Sequence, residues 1–327
     1  MLELKNVSAR YNMLTSFVNA VDHVSFKIEP DEIFGIAGES GCGKSTLLKV
    51  MYDLLDYPLE VSEGEVRLDV KDEPSGYVTT GSIKKAWWKE ISYVPQGAMH
   101  VMNPVATVEN QFFDTVSRGY HEKMTKRQIR EKVAAYLKEL ELSPDILKGY
   151  PHQLSGGMRQ RVLIALATFL SPSVILADEP TTALDVVVQK DILTMLMAVQ
   201  SRMKNSMVIV SHDMGVHYQV TKRMGIMYAG QMIEIGPTEE IFNNPQHPYT
   251  KMLIGALPRV GDNSQKEGIP GTPPSLKNPP AGCRFAERCK YATEECRKIQ
   301  PETVQVGERH YAACLLLGSK GGAADGE

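Results

Sequence analysis

The sequence predicts an α/β fold built on a parallel sheet, and three observations carry that expectation. Apolar strands recur at 33–38, 173–179 and 206–213, and stretches with helical spacing lie between them. The first of these strands also runs straight into a glycine-rich turn that opens a helix. With 327 residues the chain has room for two domains and a sizeable buried core.

Each element follows in order. Residues 1–40 alternate apolar and polar positions, as at Leu2, Leu4, Val7 and then Val24, Phe26, Ile28, which predicts half-buried antiparallel strands. The run IFGIAG leads into GESGCGKS, and TLLKVMYDLL continues as a helix. Residues 97–170 interrupt the strand order with HEKMTKRQIREKVAAYLKELEL, charged residues around an apolar stripe, and predict a helical insertion. The strands VILADE and MVIVSHD then resume the sheet. Beyond Gly236 the texture changes: QHPYTKMLIGALP predicts one short helix, and 268–283 holds five prolines in sixteen residues, the composition of a linker. The last seven residues, GGAADGE, are expected to fray. These shifts place a core at 1–96 and 171–236, a helical subdomain at 97–170 and an extension at 237–327.

Composition excludes several classes. Hydrophobic residues at 43% and charged residues at 23% argue against a mostly disordered or fibrous chain. With 36 Lys+Arg against 39 Asp+Glu, the net charge of −3 leaves no positive excess to neutralise a nucleic-acid backbone, so nucleic acid is not an expected partner. The longest nearly apolar run, 162–170, is nine residues and contains Thr168, whereas a bilayer crossing takes roughly 18 to 20. The N-terminal stretch carries charges where an apolar export signal would lie, which predicts a cytosolic chain.

The chemistry starts at GESGCGKS: Gly38, Glu39, Ser40, Gly41, Cys42, Gly43, Lys44, Ser45, then Thr46. Glycines at this spacing let successive backbone N–H groups curl around a phosphate at a helix N-terminus, with the lysine on the β- and γ-phosphates and the serine on Mg²⁺. Asp178, at the end of an apolar strand, suits the Mg²⁺ shell, and Glu179 suits the general base that deprotonates an attacking water. A strand ending in Asp-Glu is by itself an ordinary solvated end; paired with the glycine turn it reads as ATP hydrolysis.

The segment YPHQLSGGMRQR adds Ser155, Gly156 and Gly157 at the start of another helix, a second candidate anion site. Through LSGG the sequence resembles the ATP-binding cassette proteins. That resemblance implies a RecA-like core of the P-loop NTPase type with an antiparallel β subdomain and a helical subdomain. It also implies that LSGG faces the ATP held by a second ATPase subunit, whether an identical or a related chain. By the same resemblance, Gln96 in SYVPQG contacts Mg²⁺ and the attacking water, His212 in IVSHD contacts the γ-phosphate, and Asp185 in TTALD crosses the dimer interface. Tyr11 corresponds to the aromatic that stacks on adenine, with Phe17 as its rival.

MNPVATV, NPQHPYTKMLIGALP and IPGTPPSLKNPPAGCRFAERC are similar to the dipeptide and oligopeptide importer branch of this family, and the resemblance runs from Leu2 to about Leu316. It implies a subunit peripheral to the cytoplasmic face of the membrane, two permease partners and, indirectly, an extracytoplasmic substrate-binding protein. Relatives in the branch carry peptides, oligosaccharides such as β-glucosides, or nickel complexes. A soluble cassette acting on ribosomes or DNA is the other class; the chain's one glycine loop and one LSGG count against the tandem cassettes of the ribosomal kind.

Cys283, Cys289, Cys296 and Cys314 follow a C-x5-C-x6-C-x17-C spacing, four thiols a short loop can bring together. The pattern lacks the paired short knuckles of structural zinc sites, and four cysteines also suffice for a cubane cluster. Dipeptide-type relatives with this pattern are similar to chains holding a 4Fe–4S cluster, which makes that cluster the expectation, with Zn²⁺ or free structural thiols as alternatives.

Overall fold

A computed structural model of the chain describes residues 1–71, 73–97, 101–119, 124–257 and 268–318. The fraying expected of the last seven residues, and the opening residues 121–123 of the charged helical stretch, fall outside them.

Two sheets organise the described residues. Strands β1 (Leu2–Met13), β2 (Ser16–Ile28), β3 (Ile33–Ala37), β4 (Leu59–Asp69), β5 (Tyr77–Thr79), β6 (Ile91–Val94), β7 (Val174–Asp178), β8 (Ser206–Val210), β9 (Arg223–Tyr228), β10 (Gln231–Pro237), β11 (Thr303–Gly307) and β12 (His310–Ala313) follow in chain order. The smaller sheet runs β2-β1-β4-β5, all antiparallel. Its inward positions Leu2, Leu4, Val7, Val24, Phe26 and Ile28 are buried, as the alternation requires. The larger sheet runs β11-β12-β10-β9-β3-β8-β7-β6. From β9 to β6 every pairing is parallel, and β3, β7 and β8 are buried at every residue, which is why they read as unbroken apolar runs.

Helix α1 (Lys44–Met51) follows β3 and buries Leu47, Leu48, Val50 and Met51 between the two sheets. The insertion carries α2 (Val108–Gly119), α3 (Lys126–Glu139) and α4 (Gly156–Thr168). Thr125 and Gln128 close a capping box at the start of α3. The apolar stripe Ile129, Val133, Leu137 then packs with Phe112 and Val116 of α2 and Ile164 of α4 in one core. From Val162 to Thr168 helix α4 is buried on every face because that half lies inside the core. Helices α5 (Val186–Met203) and α6 (Met214–Val220) complete the central layer. His217 of α6 lies over Gly35, where a Cβ would come within 2.5 Å of the ring Nδ1, so the strand needs glycine there.

The proline-rich stretch, a linker by composition, is packed against the rest of the chain. After α7 (Thr238–Asn243) and α8 (Pro248–Gly255), the proline-rich stretch is irregular, yet Ile269 and Leu276 pack into a third core with Tyr228, Tyr249 and Phe285. The Leu276 carbonyl accepts from Asn19 N at 2.9 Å. A short helix, α9 (Glu294–Lys298), follows, and the β11–β12 hairpin then extends the main sheet through Glu234↔Ala312 and Ile235↔Tyr311. A buried Glu234–His310 pair at 2.8 Å fastens that seam.

Candidate nucleotide site

The glycine turn joins β3 to α1 in left-handed backbone: φ is +78° at Gly41 and +108° at Gly43, the N-cap of α1. At Gly43 a Cβ would lie 2.1 Å from the Ala20 carbonyl, so neither the conformation nor the space admits a side chain. The helix start has no side-chain cap, leaving its amides to a ligand. Lys44 folds back onto the turn, its Nζ donating to the Gly38 and Glu39 carbonyls at 2.8 and 2.9 Å. Cys42 is buried in the core between the sheets, and burial raises its thiol pKa.

Strand β7 brings the carboxylates. Asp178 Oδ1 accepts from Ser45 Oγ at 2.9 Å, and Oδ2 accepts from the Tyr93 hydroxyl at 2.9 Å. Burial raises the Asp178 pKa despite both donors, so a cation beside it would gain a carboxylate now held partly against its charge. The chain then turns at Glu179, a non-glycine residue with φ +45°, a cost of roughly 1–3 kcal/mol of the kind met at functional sites. Its N–H still meets the Val210 carbonyl at 2.9 Å.

Three side chains converge on the Glu179 carboxylate. Gln96 Nε2 and Thr182 Oγ1 donate to Oε2 at 2.9 and 2.7 Å, and His212 Nδ1 lies 3.2 Å from Oε1. Burial pushes its pKa up, but the Thr182 and His212 hydrogen bonds, with the charges of His212 and Lys44, bring the net value below the ordinary 4.5. The carboxylate is therefore ionised and oriented, as a general base must be.

The Tyr11 hydroxyl is 3.0 Å from Thr46 Oγ1, beside the glycine turn, whereas Phe17 is exposed with Arg10 stacked 4.0 Å over its ring. Ser155 is exposed and caps α4 by accepting from Met158 N at 3.3 Å; Gly157 permits close approach of Val188, which a Cβ would meet at 2.8 Å. Asp185 caps α5 through Val187 N and Val188 N, next to the exposed Val186 and Val187. These residues are not gathered with Lys44 and Glu179 by any hydrogen bond among the described residues.

The four C-terminal cysteines are free thiols. Burial, then one another's charge, raises Cys283 to about 11. Cys314 is also raised, by burial and by Cys289 and Cys296. Cys283, Cys289 and Cys314 each receive the amide N–H two residues on, from Phe285, Tyr291 and Leu316. The thiols thus share one neighbourhood, although among the described residues no three His, Cys, Asp or Glu groups stand at ligand spacing round a metal ion.

Sequence reasoning passed over four residues. Thr182 is three positions from Glu179 in TTALD, and Tyr93 is three before Gln96, so local spacing held a signal for both. Tyr249, whose hydroxyl accepts from Glu39 N at 3.1 Å, and Arg288, paired with the Glu39 carboxylate, lie more than 200 positions away, and spacing held none.

Residues 21–182 match the ABC transporter family, and residues 233–296 match the C-terminal region of oligopeptide/dipeptide transporters. The chain is 38% identical to the dipeptide transport ATP-binding protein DppD of Caldanaerobacter subterraneus, over 96% of each chain. The chain belongs to the ATP-binding subunits of ABC transporters. Within that family it lies in the peptide-import branch. It is also 39% identical to the Bacillus subtilis protein of the same name, over 96% of this chain and 94% of that one. The dimeric post-hydrolysis state of the ATP-binding cassette MJ0796 bound to ADP and Pi superposes with TM-score 0.64 at 30% identity, covering 73% of this chain and 99% of that one. This ABC subunit hydrolyses ATP, and among its described residues no helix is long and apolar enough to cross a membrane.

Proposed function

We propose that the chain powers peptide import by closing, with a second ATPase subunit, around two MgATP. Lys44 leaves the Gly38 and Glu39 carbonyls for the β- and γ-phosphates, and the amides of 41–46 cradle them. Ser45, Gln96 and Asp178 would hold Mg²⁺, which would supply positive charge to the phosphates, and Tyr11 meets the adenine. Ser155, Gly156 and Gly157 of the partner subunit complete the γ-phosphate site, with Asp185 and the exposed Val186 and Val187 on the facing surface. Glu179 takes a proton from the attacking water, while His212 and Lys44 stabilise charge on the transferred phosphoryl group. The reaction is in-line displacement by positioning and electrostatics, with no covalent intermediate.

One observation carries this reading: Glu179 is held by Gln96, Thr182 and His212 one residue from Asp178, which is bonded to Ser45 of the glycine turn. Closure passes to two permeases docked near Gln96 and the helical insertion, on the cytoplasmic face, with an extracytoplasmic binding protein selecting cargo. Peptides are the cargo class because the dipeptide transport relatives match along nearly the whole chain. Uptake of labelled dipeptide by cells or proteoliposomes carrying this subunit, its permeases and their binding protein tests it; uptake of β-glucosides or nickel complexes in place of peptides would reassign the cargo.

For the C-terminal thiols we propose a 4Fe–4S cluster: the support is four cysteines in one neighbourhood, three of them receiving the amide N–H two residues on, although among the described residues no three stand at ligand spacing. Cys283, Cys289, Cys296 and Cys314 would hold it, and the cluster would supply cross-linking to a segment with few large apolar side chains.

A further inference from the structure

Glu39, the second residue of the glycine turn, meets Arg288 in a fork: Nη1 to Oε2 at 2.8 Å and Nη2 to Oε1 at 2.9 Å. The Arg288 side chain is 5% exposed, and its other donors are engaged as well. Nε reaches the Pro270 carbonyl at 2.8 Å, Nη2 the Ile269 carbonyl at 3.3 Å, and Nη1 the Tyr228 hydroxyl at 3.1 Å. The proline-rich stretch therefore fixes the guanidinium plane, and a bidentate geometry of this kind is specific to arginine. Glu39 is bound at three points: its carboxylate by Arg288, its amide by Tyr249 and its carbonyl by Lys44. Two of these partners come from the extension.

A carboxylate left unpaired at this point would repel polyphosphate and compete with it for Lys44. We infer that Arg288 is a positioning residue for nucleotide binding, neutralising Glu39 and holding its carboxylate off Lys44, so that the C-terminal extension is part of the nucleotide site. This rests on the reading of the glycine turn as the phosphate site.

The test uses the full chain with a fluorescent ATP analogue and Mg²⁺, alongside KM and kcat for MgATP. Arg288→Met is expected to raise Kd about tenfold with kcat changed less than about threefold, as loss of binding without loss of the chemical step requires. Adding Glu39→Gln to that variant removes the unpaired charge and returns Kd to within about threefold of wild type, a recovery that a merely structural contact does not give. Should Arg288→Met fail to fold, Arg288→Gln, which keeps a side-chain donor but carries no charge, gives the same reading: Kd rises several-fold and recovers with Glu39→Gln. An unchanged Kd in the arginine variants, or a double variant no better than the single, overturns the inference. Lys44→Ala separates the two claims: if it binds nucleotide as wild type does, the phosphate-site reading fails; if it loses binding while Arg288 variants do not, only the role of Arg288 falls.

Discussion

His212 presents Nδ1 3.2 Å from Oε1 of Glu179, and the pair ties the end of β7 to the loop after β8. Gln96 and Thr182 occupy the other carboxylate oxygen, so both oxygens of the proposed base are engaged. Replacing Glu179 by Gln keeps the shape and removes the basicity. Steady-state turnover should fall by on the order of 10²–10⁴-fold, with ATP still bound and the subunits trapped closed on size-exclusion chromatography. Rapid turnover in Glu179→Gln would remove that residue from its role.

The Tyr93 hydroxyl bonded to Asp178 marks a support that acts through the carboxylate. In Tyr93→Phe, Asp178 loses a donor while remaining buried, so its pKa rises further. Losing one such bond costs about 1–3 kcal/mol. The Mg²⁺ concentration for half-maximal hydrolysis should rise several-fold, with nucleotide affinity in excess Mg²⁺ little altered. An unchanged Mg²⁺ requirement would separate Tyr93 from the cation site.

His217 and His247 are fully buried, and burial lowers each to about 4 from the ordinary 6.5. Their native-state values lie below the unfolded ones, so the unfolded chain binds more protons between those limits. Stability is fully present above pH 6.5 and is lost as pH falls toward 4, by on the order of 3 kcal/mol per histidine. Melting temperature should drop across that window, and His247→Asn, which keeps an acceptor for the start of α8, should make the drop shallower. A melting temperature independent of pH from 6.5 to 4 contradicts the buried neutral imidazoles.

Protein purified without oxygen should be brown, with a broad visible band and both iron and sulfide present. Cys289→Ser should bleach it and expose the extension to limited proteolysis before the ATP site. A colourless protein with stoichiometric zinc would replace the cluster with Zn²⁺.

Much of this was legible in local pattern. The strands β3, β7 and β8 announce themselves because parallel strands covered on both faces must be apolar throughout, and the proposed site residues Lys44 and Ser45 stand in the glycine turn after β3, Asp178 and Glu179 at the end of β7. The extension was harder. Its prolines read as a tether, but Ile269, Leu276 and Phe285 join a core whose other half is Tyr228 and Tyr249, a partnership between apolar residues that no spacing encodes. The β11–β12 hairpin is short, turning through Arg309 at φ +55°, and its pairing with β10 spans most of 80 residues of chain. Asp185 shows the converse: the local cap is visible in the structure, while any role across a dimer is a property of two chains.

The most direct test of the whole account is specific ATPase activity as a function of protein concentration, measured for wild type and for Ser155→Arg, which fills the anion site at the start of α4. If each nucleotide is completed by the partner subunit, activity per molecule falls steeply on dilution, and Ser155→Arg loses hydrolysis while still binding ATP. Activity per molecule that is constant at every concentration, and intact in Ser155→Arg, would show that one chain suffices and contradict the account.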